Sequence, residues 1–119
     1  PERIESGVGP LDFTRLGGLE FARVEPARFP CVGLAAEAIR RGGTAPAVLN
    51  AANEIAVEAF LDRRLGFTDI ARVIENVLGE MPVESLKTLE QVYAADIEAR
   101  ALAARFVSRL AATARTISA

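Results

Sequence analysis

Asn50, Glu54, Glu58 and Asp62 recur at every fourth residue, so on a helix they form one ridge of oxygen-bearing side chains. Such a ridge could hold a divalent cation. Di-metal helical bundles, however, complete their sites with a Glu-x-x-His motif, and this chain contains no histidine. The other reading has the ridge facing solvent at one end and meeting an arginine or a helix N-terminus at the other, and the missing ligand set favours it. Gly42-Gly43-Thr44 ahead of a helix has the outline of a phosphate-binding loop, but it follows a helix rather than a strand and lacks the Walker lysine. Cys31 lies near a helix start, where a thiolate is favoured, yet a small buried cysteine is the more frequent case. The arginines late in the chain, Arg100, Arg105, Arg109 and Arg115, could gather a phosphate. Interleaved acids suit a solvated face better.

Composition narrows the chemistry further. Without histidine the commonest general base and the commonest transition-metal ligand are both missing. Tryptophan is also absent and Tyr93 is the single tyrosine, so stacking on nucleobases is poorly provided. Catalysis would have to rest on carboxylates, arginine or the one lysine, Lys87. A formal net charge of -2 gives no general attraction for nucleic acid or an anionic membrane. No run approaches the roughly 20 apolar residues of a membrane span, and the opening PERIESGVG lacks the apolar core of a signal peptide. A lone cysteine excludes an internal disulfide and fits a reducing compartment, so a cytoplasmic location is expected.

The elements that would position these residues follow from punctuation and periodicity. At 119 residues, 50% hydrophobic and 25% charged, the chain suits one globular domain with a real core. Glycine and proline interrupt the first thirty residues, and alternation over Leu19 to Val24 predicts one short strand. Leu11 to Leu16 could be its hairpin partner across Gly17-Gly18, or LDFT could be a turn. From Phe29 onward the pattern is helical. The predicted helices are Pro30 to Arg41, about Ala45 to Arg64 with Thr44 as cap, Thr68 to about Gly79, and about Thr88 to Arg115. Thr88 and Gln91 have capping-box spacing. The expected fold is therefore mainly α: a four-helix bundle over residues 29–119, preceded by a strand-containing segment over residues 1–28.

The second helix is apolar almost all round, which predicts a buried centre with Val48, Ala52, Ile55, Ala56 and Ala59 against the other three. Asn50, Asn53 and Glu54 in its middle then have to find partners, because an unsatisfied buried polar group costs roughly 1–3 kcal/mol. They are expected to form a structural polar network, with an asparagine on a neighbouring loop or helix end and Glu54 on an arginine or N–H donors.

Four segments, PLDFTRLGGLEF (residues 10–21), RFPCVGLAAEAIRRGGTAPAVLNAANEIAVEAFL (28–61), FTDIARVIENVL (67–78) and LEQVYAADIEAR (89–100), resemble the C-terminal part of the 1-deoxy-D-xylulose 5-phosphate reductoisomerase family. LNAANE with its preceding GGT is the most specific of these. The resemblance implies an enzyme of the non-mevalonate isoprenoid pathway, dependent on NADPH and a divalent metal (Mg²⁺ or Mn²⁺). It also implies an N-terminal dinucleotide-binding domain, a central catalytic domain that makes the contact of a homodimer, and a C-terminal helical bundle. The first 28 residues would be the tail of the central domain and a linker. The family's cofactor, metal, phosphate and flap residues all precede the matching region, so no catalytic, metal or cofactor residue is expected in this chain. An autonomous helical interaction module is the competing expectation, and it should have closed its apolar surface.

Overall fold

The computed structural model describes residues 7–117, with side chains through residue 113. The first six residues of the predicted tail, which include most of PERIESGVG, lie outside these, as does the Arg115 side chain.

Four helices follow one short 3-10 turn, Phe13–Arg15: α1 (Pro30–Arg41), α2 (Ala45–Leu61), α3 (Asp69–Glu80) and α4 (Leu89–Ile117). Proline opens α1 and α2, where the missing N–H is no loss. Gly42, at φ 67°, ends α1 and donates its N–H to the Ala38 carbonyl. The expected capping box starts α4: Gln91 donates its N–H to the Thr88 hydroxyl, and its side-chain oxygen accepts from Thr88 and, at 2.7 Å, from Lys87.

Three boundary expectations are corrected. Helix α2 stops at Leu61, earlier than the predicted Arg64, because Arg63 takes the left-handed conformation at φ 59°. Arg64 then donates to Ala59 and Arg63 to Phe60, the paired closing bonds of a Schellman turn. Neither Thr44 nor Thr68 caps its helix with its side chain. The predicted strand Leu19 to Val24 does not form. Residues 16–24 have no regular structure and no backbone hydrogen bond among the described residues, and their side chains are exposed. Its possible hairpin partner is a turn instead, tied by Asp12 accepting from the Thr14 N–H at 2.9 Å and from its hydroxyl at 2.6 Å. Alternation alone cannot hold a strand without a neighbour.

Helix α2 touches the other three helices, and α3 and α4 close the bundle around it. Its buried positions are Ala45, Val48, Ala51, Ala52, Ala56 and Ala59, almost all alanine. Facing helix α4 buries Ala95, Ala99 and Ala103 at spacings of four, with Leu102, Phe106 and Val107 beside them. Small side chains let two helix backbones approach closely, and branched residues of α3 (Ile70, Val73, Ile74, Val77) fill the remaining space. The expectation of all-round burial is corrected here. Ile55 is half-buried at the rim with Leu49, Val57 and Phe60, while Asn50, Glu54, Glu58 and Leu61 are exposed.

Among the described residues one polar side chain is buried in the core. Thr44, 2% exposed, exchanges two bonds with Glu84: its N–H donates to the Glu84 carbonyl and its hydroxyl accepts the Glu84 N–H, both at 3.0 Å. Gly43 precedes it at φ 52°, and a Cβ there would run into that same Glu84 carbonyl oxygen and stand 3.2 Å from Val83. Gly43→Ala should therefore destabilise the chain by about 2–4 kcal/mol, from left-handed strain plus the clash. Urea denaturation followed by circular dichroism measures it, and an unchanged midpoint would contradict the tight junction. At the α2–α4 seam, Ala99→Leu should cost about 1–3 kcal/mol through overpacking. A neutral result by the same measurement would mean the seam has room for a larger side chain.

Candidate functional site

The structure brings three of the candidates, Asn50, Glu54 and Arg100, together with Asp96 across the outer seam of α2 and α4. Asn50 and Glu54 lie one turn apart on α2, and the Asn50 amide donates to Glu54 Oε1 at 2.9 Å. Asp96 and Arg100 lie one turn apart on α4, with Arg100 Nε donating to Asp96 at 2.7 Å. Arg100 then reaches across the seam and donates from its terminal nitrogen to Glu54 Oε2 at 2.6 Å. One guanidinium thus clasps two carboxylates carried by different helices.

Electrostatics follow from this geometry. Hydrogen bonding from Arg100, then from Asn50, holds the Glu54 carboxyl below its ordinary range. Asp96, and after it Glu54, pushes the Arg100 guanidinium still higher, so it stays charged. Glu54 is about half exposed, so the clasp fixes geometry more than it adds stability.

Other candidates stand apart. Asn53 is half-buried and makes no side-chain hydrogen bond among the described residues. Glu58 is exposed, and Asp62 pairs only with Arg64 beyond the end of α2. Among the described residues no group of three or more His, Cys, Asp or Glu side chains could hold a metal ion. Cys31 is exposed, contrary to the favoured burial, because it sits in the first turn of a helix covered on one side only. Gly42-Gly43-Thr44 serves as the junction with Glu84, and its Thr44 N–H is already engaged. Arg109 stacks over the Phe106 ring at 4.3 Å. Arg105 and Arg109 border an open depression that Glu80 also lines, so their charge is partly offset.

The sequence reading did not single out Asp96 and Arg100 as Glu54's partners. Their own i, i+4 spacing was a visible signal; the link to Glu54 was not.

A depressed carboxyl contributes stability above its unfolded value and loses it as pH falls through the folded one. The difference in urea midpoint between wild type and Glu54→Gln should thus be present at neutral pH and shrink as pH falls below the ordinary glutamate value of about 4.3. A difference that persists undiminished in acid would show that Glu54 acts through packing instead of charge.

With that geometry in view, comparison with known proteins is informative. Residues 1–102 match the family described as the DXP reductoisomerase C-terminal domain. A 1-deoxy-D-xylulose 5-phosphate reductoisomerase from Pseudomonas aeruginosa is 53% identical over 109 residues, which are 92% of this chain and 28% of that protein. The reductoisomerase from Zymomonas mobilis, solved in complex with NADPH, superposes with a TM-score of 0.75 at 46% identity, covering 89% of this chain and 28% of that one. A DOX-P reductoisomerase solved with NADPH, fosmidomycin and magnesium gives 0.75 at 37% identity, covering 90% and 28%. The chain therefore spans 28% of the length of these relatives. It belongs to the DXP reductoisomerase C-terminal domain family.

Proposed function

We propose that this chain is the structural C-terminal portion of an enzyme that converts 1-deoxy-D-xylulose 5-phosphate to 2-C-methyl-D-erythritol 4-phosphate for isoprenoid biosynthesis. The single observation that carries the reading is the family match over residues 1–102 of a chain that covers 28% of its relatives. The whole enzyme would use NADPH and Mg²⁺ or Mn²⁺, in keeping with the relatives solved with NADPH and magnesium. It would work in the cytoplasm as a homodimer, without nucleic acid or membrane. Among the described residues no helix is long and apolar enough to cross a membrane.

The residues of this chain do not fit either cofactor. A dinucleotide site needs a glycine-rich turn between a strand and a helix N-terminus, whereas Gly42-Gly43 joins two helices and packs against Glu84. Of the oxygen ridge, Glu54 is held by Arg100 and Asn50, leaving no set of free ligands. No step of the reaction is assigned to these side chains. Their part is mechanical: Asn50, Glu54, Asp96 and Arg100 fasten α2 to α4, and Asn53 lies alongside as a packing residue. The domain boundary falls near residue 28, with the preceding arm belonging to the catalytic domain. The exposed apolar arm (Leu11, Phe13, Leu19, Phe21) supports this reading over a self-contained interaction module, whose surface would be closed.

NADPH consumption with the sugar phosphate and Mg²⁺ or Mn²⁺ tests the proposal. The 119-residue chain alone should be inactive, and activity should appear once the preceding portion of the protein is supplied. Turnover by this chain alone, abolished by a substitution within it, would overturn the assignment.

A further inference from the structure

Helix α1 carries two apolar stripes, and the bundle uses one of them. Leu34, Ala35 and Ala38 face inward, Ala38 being 1% exposed. At a hundred degrees per residue, Phe29, Val32, Ala36 and Ile39 form one outer flank, from about 100 to about 180 degrees round the helix from Ala38. All four are exposed, Val32 at 61% and Ile39 at 73%. Gly33 lies among them with nothing within 4 Å of where its Cβ would stand, so another backbone could approach closely there. Arg40, paired with Glu37, borders this face on one side, and the Arg28 guanidinium lies over the Phe29 ring at 5.5 Å. A second exposed apolar stripe on a helix marks a surface that another element covers.

We propose that the outer face of α1 is an interdomain seat for the polypeptide that precedes it in the complete enzyme. This rests on the proposed function, since it needs an enzyme with further domains. Two observations select that occupant. Relatives place about seven-tenths of their length outside the region matched here, since this chain covers 28% of them. The arm of residues 7–28 enters α1 at Phe29, so polypeptide arriving through it is delivered beside this face; the arm itself is exposed throughout. An exposed apolar stripe with the Glu37–Arg40 pair along one edge and Arg28 at its Phe29 end suits an apolar protein surface with a polar rim.

Thiol labelling reads this directly. In a Cys31→Ala background, Ile39→Cys is made in the 119-residue chain and in the complete enzyme, and maleimide incorporation at that peptide is followed by mass spectrometry. Because Ile39 is exposed, far-UV circular dichroism of the variant chain should match wild type. Labelling should be fast in the chain alone and slower by more than an order of magnitude in the complete enzyme. Val32→Cys supplies a second, independent reading of the same face. Equal rates in both proteins at both positions would overturn the proposal. So would protection that develops in the 119-residue chain alone as its concentration rises, because the occupant would then be a second copy. NADPH turnover by the wild-type complete protein is measured alongside. Turnover without protection sinks only the docking face, and protection without turnover sinks only the catalytic reading.

Discussion

The absence of a β-carbon at residue 43 is the constraint on which the bundle's geometry rests. Because Gly43 can sit at φ 52° against the Glu84 carbonyl, Thr44 reaches Glu84 with both its N–H and its hydroxyl. That exchange ties the start of α2 to a connector forty residues further on. Nearby, Arg41 at the end of α1 donates to the Leu78 carbonyl in the last turn of α3 at 3.0 Å, answering an otherwise orphaned acceptor with a cation at the dipole's negative end. The end of α1, the start of α2, the end of α3 and the approach to α4 thus converge on one junction. Its buried polar groups are satisfied, as close packing in a low-dielectric interior requires.

From that junction α2 runs along α4 with alanine at the positions of closest approach. Small-residue packing leaves little slack, because a methyl group has no rotamer to change when a neighbour moves. The charged clasp of Glu54, Arg100 and Asp96 lies over the outside of the same seam. Inside, the seam resists separation through contact; outside, it resists sliding through directional hydrogen bonds. The two act on different motions of the same helix pair.

Much of this was legible in the sequence, and the failures have physical reasons. Proline and glycine punctuation identified all four helices, and Thr88 with Gln91 announced the start of α4. The end of α2 was missed because Arg63, not a glycine, adopts the left-handed turn. The apolar richness of α2 misled on Ile55 and on the centre of the helix. Asn50, Glu54 and Glu58 recur every fourth residue, and that period itself marks a solvent-facing stripe, which a count of apolar residues obscures. The strand failed for another reason: Leu19 to Val24 has the alternation of a strand, but a strand is a property of a pair. Thr44 with Glu84 and Glu54 with Arg100 join residues forty or more positions apart, and no local pattern carries such information.

The bundle and its arm differ in what they need from outside. The bundle closes its own core, and it does so with more of α4 than the family match covers. The match ends at residue 102, yet Ala103, Phe106 and Val107 are buried in the same core and Leu110 packs against it. Those last turns therefore belong to the structural unit, since stopping the helix at residue 102 would remove the buried Ala103, Phe106 and Val107 from the core. The arm is the reverse: its apolar residues contribute nothing to that core and gain stability only from something beyond it. The bundle is thus a packed support and the arm an uncovered connector.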